Sequence, residues 1–302
     1  NSDGIPDPNT IGAPATARNI VAVGASSNAD DLGDPNLPNS RWANSSNGPA
    51  TLFGGRIAPL LMAPGTDAGT LGLASEFHCR SNDNNQNGPV ECDVIAGQVS
   101  TSYASAAAAG TGLLVRDYFA QGFYPDGTNT NAGNAAEQVP TISGALLKAV
   151  LVTSAEWMHA ANSNFPFGPN LTRKFRGNRE QGFGRIVLTN ALPLQSYPGA
   201  VTGLIVGDGG PFVGAKNSTT LSLNSPPDTQ EYLLNVCDTS QRLNIAIAWI
   251  DPLNVLSPAD LNRDLDLEVE SPSGRVYLGN FFTDDINGNN AIEGTENCQF
   301  TG

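Results

Sequence analysis

The chain has 302 residues and a formal net charge of −14, with 29 acidic side chains against 15 lysines and arginines. Binding a phosphate backbone needs clustered basic residues that release counterions, and lysine occurs only at Lys148, Lys174 and Lys216, so a nucleic-acid partner and a basic membrane-surface helix are both excluded. With 33 glycines, 21 prolines and 31 asparagines, the chain favours loops and short strands, solvated by amides and hydroxyls rather than by ion pairs.

In chain order, the first strand falls in the β-branched run Asn19–Gly24, ended by the polar stretch ASSNADDLGDPNLPNS. Arg56–Met62 then leads into a turn at Ala63–Thr66. The Ala-rich segment Thr101–Gly122 reads as a helix burying Leu113, Leu114, Tyr118 and Phe119. Ile142–Met158 reads as a second helix, with Leu146, Leu147, Val150 and Leu151 as its apolar stripe. Strands mixed with helices in this way predict α/β layering on a parallel sheet.

Beyond Leu194 only strand-length runs remain: Leu221–Leu223, Glu231–Cys237, Leu243–Asp251, Asp264–Glu270 and Arg275–Gly279, divided by turn clusters such as NSPPD and SPSG. In LNIAIAWID, Ile245, Ile247 and Trp249 alternate with Asn244, Ala246 and Ala248, the period of a half-buried strand. These patterns predict an α/β domain over residues 1–196 and an antiparallel β-sandwich or jelly roll over residues 197–302, incomplete at its C-terminus. The longest weakly polar stretch, Ala104–Val115, is too short and too rich in Ala and Gly to span a bilayer, so no membrane insertion is expected. A chain that starts at Asn1 rather than Met, with no signal peptide, is expected to be an excised or processed piece of a longer product.

Cys79 and Cys92 bracket a polar loop that a disulfide would close, which leaves Cys237 and Cys298 to pair by elimination. A zinc site is the alternative, but its C-x-x-C knuckle is missing, and two disulfides predict an extracellular protein. N-glycosylation sequons at Asn44, Asn170 and Asn217 are compatible with secretion.

The segment GQVSTSYASAAAAGTG places small hydroxyl residues at the start of a helix made almost wholly of Ala and Gly. A serine there suits nucleophilic chemistry, because free backbone N–H groups and the helix dipole both favour a developing oxyanion. The same pattern suits a plain N-cap serine on a buried helix. In DDINGNNAIE, Asp285, Asn287 and Asn289 offer oxygen ligands in the alternating manner of calcium loops, or else form an Asn/Gly-rich hairpin turn. Asp264 and Asp266 alternate with Leu265 and Leu267, as ligands or as the solvated face of a strand.

Five blocks, in order, give the chain a resemblance to the subtilisin-like serine peptidases (subtilases) that covers nearly its whole length. They are TIGAPATARNIVAVGAS, NSSNGPATLFGGRIAPLLMAPGT, VSTSYASAAAAG, LLKAVLVTSA with NREQGFGRIVLTNAL, and LNIAIAWIDP with NRDLDLEVESPSG. The third is similar to the family's nucleophile block SGTSMASPxVAG, which puts Ser102 on the catalytic serine. Ser100 stands where the family has glycine, restricting a backbone position that usually exploits glycine's freedom, and Ala106 stands where it has proline.

The resemblance implies that this chain is the C-terminal half of a catalytic domain followed by a β-sandwich, with the triad Asp and His upstream. The opening NSDG resembles the tail of the family's AGN motif, making Asn1 a side-chain donor to the oxyanion beside the Ser102 backbone N–H. Neither His78 nor His159 matches a family catalytic position, and both are expected to be ordinary histidines. The resemblance also implies a cis peptide at Ala13–Pro14 and structural calcium. A secreted endopeptidase acting on protein or peptide substrates is therefore expected, completed by the upstream half of the same polypeptide or by a partner chain. The alternative is a catalytically inactive subtilase-like structural or binding subunit of an extracellular assembly.

Overall fold

The computed structural model describes residues 8–26, 41–42, 44–50, 56–65, 100–130, 139, 142–158, 177–208, 229, 231–236, 242–252, 261–282 and 291–293. Strand β1 (Val23–Ser26) pairs in parallel with β2 (Leu61–Pro64), in a register that sets Val23 against Leu61 and Ser26 against Pro64. On the other side of β2 lies β4 (Arg185–Ile186), also parallel, and β3 (Ala155–Glu156) adds an antiparallel edge, giving the order β1-β2-β4-β3. Among the described residues, two helices precede β3 in the chain: α1 (Thr101–Ala120) and α2 (Gly144–Thr153). This mixed sheet with few helices is compatible with a partial α/β domain.

Both ends of α1 are fixed by local chemistry. At its start, the Ser100 hydroxyl accepts from the Ser102 N–H at 3.1 Å. At its end, Gly122 takes φ +74°, its N–H donates to Phe119 O at 3.2 Å, and Phe123 N–H donates to Tyr118 O at 3.1 Å. That pair of bonds is a Schellman stop. The Phe123 and Tyr118 rings stack across it with centroids 5.9 Å apart, the apolar contact that such stops favour.

Helix α1 lies on the sheet through small residues. Ala104 and Ala108, one turn apart, pack against Ala25 of β1 and Ala63 of β2. Its C-terminal turns carry larger groups, and Val115, Tyr118 and Phe119 join Leu61, Leu146, Val150 and Leu151 in the main core. Each fully buried Val or Leu contributes about 1.5–3 kcal/mol. Leu192 and Val206 belong to the same cluster, and Leu204 packs against it. The Tyr124 hydroxyl accepts from Val206 N–H at 3.3 Å. Asp208 accepts from the Ser143 N–H at 2.7 Å, and the Ser143 hydroxyl in turn caps α2 by accepting from Leu146 N–H at 3.0 Å.

Both expected helices are present, but the second covers only Gly144–Thr153 of the expected Ile142–Met158, because Ala155–Glu156 pairs into the sheet as β3. The predicted stripe of α2 faces the core, with Leu147 partly buried. The expected inner face of α1 is corrected in one respect: Tyr118 and Phe119 are buried, but Leu113 and Leu114 are 66% and 61% exposed. Positions 104, 108, 115, 118 and 119 define the buried side, whereas 113 falls opposite it and 114 on its flank. The Ala13–Pro14 peptide is cis, as the resemblance implies.

A second sheet contains β5 (Glu268–Glu270), β6 (Val276–Phe282) and β7 (Ala291–Glu293), antiparallel in that order. The expected SPSG turn joins β5 to β6, with Ser271 N–H donating to Arg275 O at 2.8 Å and Gly274 at φ +81°. Leu265, Leu267 and Val269 are partly covered while Asp264, Asp266, Glu268 and Glu270 are exposed, so the two aspartates lie on a solvated face. Residues 231–236 and 242–252 have no ladder partners among the described residues, unlike the strands expected there. Several of their apolar side chains lack a cover among those residues: Leu233 is 94% exposed, and Ile247 and Ile250 also face solvent, whereas Tyr232, Ile245 and Trp249 are partly buried. Alternation alone stabilises a strand only when a neighbour satisfies its backbone.

One polar junction ties these C-terminal residues to the first sheet. Asp251 is 5% exposed and pairs with the guanidinium of Arg18, which lies in the loop that leads to β1. Asn19 completes the junction, its Nδ2 donating to Asp251 O at 3.0 Å and its Oδ1 accepting from Asp251 N–H at 2.9 Å. The Asp251 carboxylate also accepts from the backbone N–H groups of Asn262 at 3.1 Å and Arg263 at 2.9 Å.

Candidate active site

Parallel strands in α/β sheets present their carboxyl ends as the natural site of chemistry. Here β1 and β2 end side by side at Ser26 and Pro64, and Gly65 N–H donates to Ser26 O at 3.0 Å. Gly65 O then accepts from Ser100 N–H at 2.8 Å, so the start of α1 hangs from the end of β2. A Cβ at Gly65 would stand 2.7 Å from both Ala25 Cβ and Ser100 O, and 3.1 Å from Ala104 Cβ. Only glycine allows this approach.

Ser102 sits in the first turn of α1 and is exposed. That turn has no acidic side chain, so the partial positive charge of the helix N-terminus is not offset within the helix. Ser100 has φ −166° and ψ 148°, an extended backbone that any residue adopts. The expected restriction on replacing glycine there is therefore corrected: the backbone does not use glycine's freedom. What serine adds is its hydroxyl, which takes the N-cap role, and Ser102 lies two residues further on.

Along the outer side of β1, Trp42 N–H donates to Ala25 O at 2.9 Å, and Ala25 N–H donates to Ser45 Oγ at 3.1 Å. Arg41, bridged to Ser26, is buried there, and desolvation pushes its guanidinium down to about 10 while Glu180 acts the opposite way. Nothing in the local sequence pattern signals Arg41 or the Gly65 approach. Asn1, His78, His159, Asp285, Asn287, Asn289 and all four cysteines lie outside the described residues. Among the described residues, no group of three or more His, Cys, Asp or Glu could hold a metal ion, and no helix is long and apolar enough to cross a membrane. Asn44, the sequon residue that is described, is exposed in a turn.

Residues 1–184 match the model of the subtilase family. The chain belongs to this family, which makes it a subtilisin-like serine peptidase by kinship and implies protein or peptide substrates. No curated protein matches it.

Proposed function

We propose that this chain carries the nucleophile of a secreted subtilisin-like serine endopeptidase, and the observation behind the reading is Ser102, exposed on the first turn of α1 beside the ends of two parallel strands. Ser102 Oγ attacks the peptide carbonyl, and the Ser102 N–H and the Asn1 side chain hold the oxyanion. An upstream histidine, oriented by an upstream aspartate, removes the serine proton, since a serine hydroxyl is a weak nucleophile without a base. The exposed Leu113 and Leu114 support a cover over α1, supplied by the upstream half of the polypeptide or by a partner chain. Residues 197–302 form the following β-sandwich in this reading, and two disulfides and glycans suit an extracellular setting.

The test is fluorophosphonate labelling of the full polypeptide. Labelling is expected on Ser102 and lost in Ser102→Ala. Equal labelling of both proteins would remove Ser102 as nucleophile and leave the inactive structural or binding subunit as the reading.

Calcium held by Asp285, Asn287 and Asn289 is a second part of the proposal, motivated by their alternating oxygen ligands. Chelation is expected to lower the melting temperature, and this loss should be absent in Asp285→Ala. An unchanged melting temperature after chelation would count against the site.

A further inference from the structure

We infer that the Ser100 hydroxyl is a built-in brake on Ser102, because it occupies the backbone N–H that must hold the oxyanion. This rests on the reading of Ser102 as nucleophile. The Ser100 hydroxyl accepts from Ser102 N–H at 3.1 Å. The Ser100 backbone is fixed on both sides: its N–H donates to Gly65 O at 2.8 Å, and its carbonyl accepts from Tyr103 N–H at 3.2 Å. Rotation about its side-chain bond is thus the simple way to free the Ser102 N–H.

An interaction present in the ground state and lost in the transition state slows the chemical step. When the tetrahedral oxyanion forms, the Ser102 N–H donates to it, and the Ser100 hydroxyl rotates away. Removing the hydroxyl takes away a bond that only the resting site enjoys. An N-cap bond of this kind corresponds to about a two- to thirty-fold change in rate. The same bond stabilises α1, so speed and stability are set against each other at one atom. Ser100 is a positioning residue, acting through the Ser102 amide.

The experiment measures the rate of fluorophosphonate labelling at Ser102 in the full polypeptide, alongside its melting temperature. In this reaction the Ser102 Oγ–P bond forms and the P–F bond breaks, fluoride leaves with its electron pair, and the serine proton passes to the upstream base. Ser100→Ala and Ser100→Gly are expected to label about two- to thirty-fold faster while melting at or below the parent temperature. Ser100→Thr keeps a hydroxyl at the cap and is expected to match the parent rate. Labelling on Ser102 that is unchanged or slower in both Ser100→Ala and Ser100→Gly would overturn the brake and leave the nucleophile in place. Absence of labelling on Ser102 in the parent and every variant would overturn the nucleophile reading, and the brake with it.

Discussion

Gly184→Ala is expected to destabilise the first sheet by roughly 3–5 kcal/mol, a loss that a urea titration monitored by circular dichroism would read directly. Two independent causes act at this residue. Its φ is +113°, a conformation that an L side chain adopts only under strain. A Cβ would also stand 2.1 Å from Glu156 O and 2.6 Å from Glu156 C, both backbone atoms of β3 that cannot swing aside. Gly184 O accepts from Met62 N–H at 2.8 Å, so a shift here is passed to β2 and from there to Gly65 and the start of α1. Labelling of Ser102 should therefore fall along with stability. Gly203→Ala is the control: nothing lies within 4 Å of its added carbon, and its expected effect is within about 0.5 kcal/mol. Equal stability of the two variants would contradict the backbone packing described for β3 and β4.

Asp251→Ala is expected to cost about 3–5 kcal/mol, because it leaves the largely buried Arg18 guanidinium without its carboxylate and the Asn262 and Arg263 N–H groups without their acceptor. Asp251→Asn should cost less, since an amide oxygen still accepts from Asn262 and Arg263. The pH dependence has a definite sign. Burial pushes the Asp251 carboxyl up, but the N–H groups of Arg263 and Asn262 and the Arg18 guanidinium outweigh it and hold the group below its ordinary value. A carboxyl depressed by folding adds stability above its unfolded value, near pH ~4, and that stability is lost as pH falls through the folded value. Melting temperatures measured downward from about neutral pH should drop more steeply below about pH 4 in the parent than in Asp251→Asn. Parallel curves would sink the assignment.

Much of the α/β portion is legible in the sequence because its signals are local. The Ala-rich run from Thr101 announces a helix, and the stripe Leu146, Leu147, Val150 and Leu151 names the face of another. Ser102 enters as a candidate from the order of blocks along the chain. The Arg18–Asp251 junction is not legible, since it joins residues 233 positions apart and neither sits in a pattern that points to the other. Leu113 and Leu114 mislead because apolar character alone does not say which side of α1 meets the sheet; Ala104 and Ala108 decide that. In LNIAIAWID the alternating period is a real feature of the sequence, but a strand also needs a neighbour, and that is a property of the rest of the chain. The role of Ser100 depends on a backbone angle, which no residue type reveals.

The contact between the first two turns of α1 and the strands beneath them uses methyl groups, one glycine and main-chain bonds, with no charged group at Ala25, Ala63, Gly65, Ala104 or Ala108. The placement of Ser102 and the surface charge are thus separable traits. A lineage, or an engineer, can redistribute the acidic exterior for solubility or a new environment without shifting Ser102, whereas one added carbon at Gly65 would move it.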